Sequence, residues 1–218
     1  MTDKVNAVNI SATMRRMTRS TYHHGDLRRA LLAEASELAR SGGPDAVTLR
    51  EVARRLGVSP AAIYRHFPDR DALLGEVARI ARRDLARRML DHVERVDETD
   101  PRRRSIRRFL ETGRGYLDFA QDEPNLLAAA FLPIEPPSGE VAEDPSPWHV
   151  LAEALDELVA TGAMPIDRRA GAETIAWSTI HGFAILRAGR AFDISGEPDP
   201  DPEAVLNAIA RSLNVPET

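Results

Sequence analysis

The side chains of this sequence that can do chemistry are chiefly arginines, and the chemistry they suit is recognition of charge. Among 218 residues there is no cysteine, which removes thiolate metal sites, disulfides and cysteine nucleophiles together. No phosphate-cradling loop, no pair of metal ligands at i, i+4 and no nucleophile beside an evident base occurs. His23 and His24 are adjacent but lack the further ligands a metal needs, so packing at a helix start is their better reading. No catalytic residue, metal ligand or cofactor site is therefore expected. What remains is an uneven distribution of charge. The net −5 conceals 12 Lys and Arg against 8 Asp and Glu in residues 1–75, and the same 12 against 8 in residues 76–114. Residues 115–218 hold 5 against 18. One end can approach a polyanion and the other repels it, unless both charges merely solvate two faces.

The elements that position these charges read as helices throughout. No stretch alternates apolar and polar residues with β-branched enrichment, so an all-α fold without strands is expected. A first helix is expected from Asp26 as N-cap, with Leu27, Leu31, Ala35 and Leu38 as its stripe, ending at Ser41-Gly42-Gly43-Pro44. Thr48 opens a second helix, and Glu51 three residues later completes a capping box. Leu49, Val52, Ala53 and Leu56 give it one buried face. Gly57-Val58-Ser59 is a tight turn, with Ser59 capping a third helix and Pro60 at its first position. That short helix runs from Ala61 to Phe67, with Ile63 and Phe67 inward. Asp69 caps a long fourth helix through Leu74, Val77, Ala81, Leu85 and Met89. Further helices are expected around 106–120, 125–131, 148–161, 167–191 and 202–213. Residues 132–147 and 194–201 read as loops, and residues 1–20 as a flexible basic arm. No apolar run reaches the ~20 residues that span a bilayer. The start lacks a signal peptide's apolar core, so a cytoplasmic protein is expected.

Three short helices before a long one, with a glycine turn between the second and third, form the geometry of a helix-turn-helix. Residues 48–74 closely resemble the TetR family of bacterial transcriptional regulators. The resemblance rests on Gly57-Val58-Ser59, on Ile63-Tyr64-x-His66-Phe67, and on Asp69-Arg70-Asp71-Ala72-Leu73-Leu74, and extends over about residues 20–80. Tyr22-His23-His24-Gly25-Asp26-Leu27 is similar to an opening in one branch. Trp177-x-x-x-His181-Gly182 resembles a signature in a C-terminal domain of part of the family.

The resemblance implies a helix-turn-helix domain at residues 21–75 and an effector-binding and dimerisation bundle at residues 76–218. It implies that Ala61, Ala62, Tyr64, Arg65 and His66 face DNA. The two alanines let base edges or thymine methyls come close. Tyr64 offers a hydroxyl to phosphate or packs on its neighbours. Arg65 pairs with guanine, anchors phosphate or stays solvated. His66 divides between DNA and an internal hydrogen bond. Thr48 and Ser59 sit at helix N-termini, where phosphate is favoured, and Arg50 lies in the first turn of the bracing helix. Arg70 stands where the family usually has lysine and keeps the charge for phosphate. Arg15, Arg16 and Arg19 reach toward a groove or stay disordered.

For the bundle, Phe109, Tyr116, Leu117, Phe131, Trp148 and Trp177 are candidates to line an effector pocket, though each is equally explicable as core. His181 is either a satisfied buried group or an effector contact. The helix at 167–191 is apolar on most sides and needs burial, within the bundle or against a partner. With the helix of Val205, Leu206, Ile209 and Leu213 it would build an intersubunit four-helix bundle, with Ile185 in the contact and Gly182 permitting close approach. The expected function is a ligand-responsive repressor that binds a palindromic double-stranded operator as a homodimer and is released by a small molecule. The competing readings are an interaction protein that has lost operator recognition and, more remotely, an enzyme.

Overall fold

The computed structural model describes residues 24–134, 145–195 and 200–216; the expected arm at 1–20 and most of the expected loop at 132–147 lie outside them. The described residues form ten α-helices and no strand. The recurring start signal is a proline in the first turn, where its missing N–H costs nothing. It occurs in α3 (Pro60–Tyr64), α5 (Pro101–Asp122), α6 (Pro124–Ala130), α7 (Pro147–Ala160) and α10 (Pro202–Ser212). Side-chain caps reinforce three of these starts. Asp100 accepts from the Arg103 N–H, Ser146 from that of His149 and Asp201 from that of Glu203.

The N-terminal unit follows the expected order with local differences. α1 (His24–Gly42) begins before Asp26, which therefore falls in its first turn and not at its cap. Leu31, Ala35 and Leu38 are buried as its stripe requires. A 3₁₀ turn at Pro44–Ala46 fills the gap before α2 (Leu49–Leu56). Thr48 accepts from the Glu51 N–H at 3.1 Å, but the Glu51 carboxylate goes to Arg54 and Arg55. Those hydrogen bonds, first from Arg54 and then from Arg55, hold its pKa down to about 2. Gly57 closes α2 in the left-handed region, φ 66°, a conformation costly to any residue with a Cβ.

α4 (Arg70–Glu94) is the spine. Its stripe of Leu74, Val77, Ala81, Leu85 and Met89 is buried along the whole length, and it touches α1, α5, α6 and α7. The pattern at 167–191 is divided differently from the expectation. A 3₁₀ turn (Ile166–Arg168) and a left-handed Gly171 precede α8 (Ala172–Ala188), and a short α9 (Ala191–Ser195) follows Arg190 at φ 54°. Two backbone breaks thus split what composition alone joins.

One buried carboxylate ties the N-terminal unit to the spine. Glu76 on α4 is 3% exposed and receives Arg28 from α1 and Arg79 from its own helix, the latter at 2.7 Å. Arg28 also lies over the Phe67 ring, 5.2 Å from its centre. Burial works to raise the Glu76 pKa, but hydrogen bonds from Arg79 and Arg28 and their charges outweigh it and hold the group below the ordinary glutamate range. A carboxylate with a depressed folded pKa stabilises fully above its unfolded pKa and loses that contribution as pH falls through the folded value. Glu76→Gln is expected to cost about 1.5–3 kcal/mol in urea unfolding at pH 7, with the difference from wild type shrinking below pH ~4.

Candidate nucleic-acid interface and effector cavity

On α3 the inward and outward faces separate as the motif requires. Ile63 and Phe67 are buried, while Tyr64 is 56% exposed and Ala61 and Arg65 are also exposed. Ala62 is half-buried. The helix is shorter than expected, ending at Tyr64 with Arg65 as its cap. Ser59 occupies the N-cap position, but its exposed hydroxyl makes no capping hydrogen bond, so it stays available to an outside acceptor. His66 is half-buried and already engaged within the chain. Arg65 makes one long bond, from Nε to the Ala61 carbonyl at 3.4 Å. Arg50 is exposed and, among the described residues, has no hydrogen-bond or ion-pair partner. By contrast Arg54 and Arg55 are held by Glu51 and Glu34. Arg50, without a partner among the described residues, and Arg65, held by one long bond, are thus the loosely committed cations of the helix-turn-helix.

Arg70 is placed differently from the expectation. Its Nε donates to the Val47 carbonyl at 2.8 Å and its Nη2 to the Pro44 carbonyl at 2.7 Å, with an Asp45 oxygen 3.7 Å away. The physical reason is the 3₁₀ turn at Pro44–Ala46, which brings two carbonyls within reach of the guanidinium: that of Val47, and that of Pro44, which already accepts the Val47 N–H and has a second lone pair to give. Arg70 braces the start of α4 against the approach to α2 and is only secondarily a candidate for phosphate.

In the bundle, Tyr116, Phe131, Trp148, Trp177 and His181 gather into one aromatic cluster. Tyr116 and Phe131 each meet Trp177 edge-on with centroids 5.6 Å apart, and Trp148 lies 5.8 Å from it. Phe131 is 5.0 Å from His181. The Tyr116 hydroxyl and His181 Nδ1 share a 2.6 Å hydrogen bond. Burial pushes the Tyr116 pKa up and that of His181 down, so both stay neutral near pH 7. Beside the cluster lies a cavity of about 30 Å³ between α4, α5, α7, α8 and α10, with Phe109, Tyr116 and Trp177 in its wall. Met89, Thr112 and Ile180, which sequence periodicity marks only as helix interior, complete much of the rest. Leu117 is not part of this site. It faces a separate open depression at the C-terminal ends of α5 and α8.

The expected dimer residues divide. Leu206, Ile209 and Leu213 are buried inside the subunit, and the first two line the cavity. Val205 is half-buried. A helix stripe shows that a face is covered but not by which neighbour, and α10 spends its stripe on α5 and α8. Ile185 remains outside, 45% exposed, with Leu186 and Ile175 beside it on α8. A Cβ on Gly182 would meet nothing within 4 Å, so inside the subunit that glycine serves no close approach. Ala204 and Ala208 are exposed on α10. The sequence marks Ile175 only as part of a helix apolar on most sides, and the same composition hides Leu186.

A capped helix-turn-helix joined by one long helix to an all-helical, cavity-bearing bundle defines a ligand-binding transcription regulator. The model for bacterial regulatory proteins of the tetR family matches residues 31–77, and a tetracyclin repressor-like C-terminal domain matches residues 109–213. The chain belongs to the TetR family. It is a DNA-binding regulator with a ligand-binding C-terminal domain, and not an enzyme. The uncharacterized HTH-type transcriptional regulator YobS of Bacillus subtilis is 24% identical over 169 residues, covering 78% of this chain and 83% of its own. A protein of unknown function from Rhodococcus sp. RHA1 is 30% identical with a TM-score of 0.71, covering 90% of this chain and 100% of that one. RolR in complex with resorcinol is 17% identical with a TM-score of 0.58, covering 88% and 89%, and shows the shared fold.

The unequal placement of two arginines gives a direct test. Arg50→Ala is expected to weaken binding to all duplexes about equally and to lower the salt slope by about one, with no loss of melting temperature. Arg70→Ala is expected to cost about 1–3 kcal/mol in unfolding, and Arg70→Lys to recover only part, since an ammonium cannot fork to two carbonyls. Parallel fluorescence-anisotropy and urea titrations separate the two. An Arg70→Ala protein of wild-type stability would return that residue to the phosphate backbone.

Proposed function

We propose that this regulator is a repressor that binds a palindromic operator as a homodimer and releases it when a small molecule occupies the bundle. The observation that carries the reading is the outward side of the helix-turn-helix, where Ser59, Tyr64, Arg65 and Arg50 are exposed while Ile63 and Phe67 anchor the helix from beneath. Residues 21–75 recognise DNA, and residues 76–218 dimerise and sense. Phosphate contacts from Arg50 and Ser59 position the domain, and Ala61, Ala62 and Arg65 read base edges. The competing reading, a scaffold that has lost its operator, leaves the unpaired Arg50 without a role. Such a protein works where the chromosome is, in the cytoplasm. No described helix is long and apolar enough to cross a membrane.

The homodimer reading rests on α8. Ile175, Ile185 and Leu186 share an exposed side with Gly182, and Ala204 and Ala208 on α10 let a partner helix come close. Two recognition helices then meet half-sites about 34 Å apart, and a shift of α4 alters that spacing. The complex of RolR with resorcinol supports a small-molecule effector here. A coupling of ~1–3 kcal/mol corresponds to a drop of roughly 5–150-fold in operator affinity at saturation, provided the ligand prefers the released state.

Selection of genomic fragments on the immobilised protein is expected to enrich a palindrome over random duplex at moderate salt. Retention of no fragment above random would remove the operator reading. Ile185→Glu, at an exposed position, is expected to leave melting temperature nearly unchanged while sedimentation shows a monomer and operator affinity falls at least tenfold. A dimer that persists in this variant would move the interface elsewhere.

A further inference from the structure

The cavity beside Trp177 says what kind of molecule it accepts. Its wall is Met89, Phe109, Leu110, Thr112, Gly113, Tyr116 and six further apolar or aromatic residues of α7, α8 and α10, with no charged side chain among them. An ionised ligand would lose its hydration there without gaining a counter-charge, at a cost of several kcal/mol. The arginines flanking the wall on α5 are committed elsewhere. Arg108 pairs with Glu157 at 3.1 Å, and Arg114 forks onto Glu203 at 2.6 and 2.7 Å.

Polar capacity in the wall is small and specific. The Thr112 hydroxyl donates to the Arg108 carbonyl at 2.9 Å. The Tyr116 oxygen shares one proton with His181 Nδ1, and whichever atom supplies that proton, a lone pair on the tyrosine oxygen stays unused. That one acceptor, on a ring in the cavity wall, matches a single ligand hydroxyl, which can donate to it. The edge-on arrangement of Tyr116 against Trp177, with Phe109 in the same wall, suits a further aromatic ring.

We propose that the effector is a compact, uncharged phenol whose ring lies between Phe109 and Trp177 and whose hydroxyl bonds Tyr116. The proposal rests on the reading that an effector occupies the bundle, and it adds the chemical class. At about 30 Å³ the cavity is smaller than a ring, since an apolar cavity that takes benzene measures about 150 Å³. The ring therefore enters by displacing a wall residue, and the adaptable one is Met89. Met89 sits on α4, the helix that begins at the recognition domain. Room for the ligand is made at the expense of the spine.

The test uses the full chain, with phenol, toluene and benzoate as probes, binding read by calorimetry and operator affinity read in parallel. Phenol is expected to bind about three- to tenfold more tightly than toluene, the equivalent of one net hydrogen bond, and benzoate not at all in the same range. Tyr116→Phe is expected to abolish the advantage of phenol while leaving toluene within about twofold. Benzoate binding as well as phenol, toluene equalling phenol, or failure of all three to bind would overturn the class. So would a phenol advantage that survives in Tyr116→Phe. The parallel readout keeps the two readings apart. Phenol that binds as expected without altering operator affinity leaves the class standing and removes the sensor. Benzoate that releases the operator keeps the sensor and removes the class.

Discussion

Everything in this molecule is arranged around the backbone-to-backbone seam between α4 and α5. A Cβ on Gly115 would lie 2.7 Å from the Met89 Cα and 2.8 Å from the Arg88 carbonyl oxygen. Two helices that meet with no side chain between them have no soft layer to absorb a displacement. The seam is pinned further along by His92, whose two ring nitrogens lie 3.0 Å from Glu111 and 3.1 Å from Asp118 on α5, and by Arg88 on Asp122 at 2.9 Å. α4 is 25 residues long, about 37 Å at the α-helical rise. A rigid bar of that length turns a small push at Met89 into a larger travel at its far end.

The contacts of α1 and α4 with the corner between α5 and α6 are built differently. Arg40 of α1 makes a two-point contact with Glu123 at 3.0 and 3.1 Å, and Asn125 donates to the Arg40 carbonyl at 3.0 Å. Arg82 of α4 donates to the Ala130 carbonyl at the end of α6. Phe131, the next residue, meets Trp177 and His181 edge-on. These are partly exposed, charged or single-bond contacts, each worth about a kcal/mol or less when solvated. A backbone-close seam with α5 and a more solvated set of contacts at the α5–α6 corner give the spine a stiff side and a softer one.

The helix-turn-helix was legible because its signals are local. Thr48, Gly57, Pro60 and Asp69 each act on backbone within three or four residues, and all four positions in the structure follow from residue type. Where the reading failed, the deciding term came from far along the chain or from a backbone state that composition does not encode. Arg70 went to carbonyls 23 and 26 residues away. Leu206 and Ile209 were recognised as a buried stripe, but only tertiary packing decides that they face α5 and α8 and not a partner. The single helix expected at 167–191 ignored Gly171, whose φ of 79° ends the preceding turn, and Arg190, whose positive φ ends α8 early. The aromatic cluster was legible as a set of large residues. Leu117 was drawn in wrongly, because a sequence position adjacent to Tyr116 points about 100° away from it around the helix.

The position of the cavity joins these points. Its wall takes Ala176, Trp177 and Ile180 from α8 and Leu206 and Ile209 from α10, the two helices whose opposite sides carry the proposed dimer face. The remaining wall takes Met89 from the spine. In such a dimer the interface helices are held by the partner and the spine is held by the seam, so a molecule that enlarges the cavity forces the two apart. The seam carries α5 along with α4, and α1, tied to α4 through Arg28 and the buried Glu76, moves with the spine. In the proposed dimer each recognition helix would move with its own spine, in opposite senses across the two-fold axis. Under that proposal a distance set by DNA geometry is controlled through Met89, a side chain that is almost wholly buried.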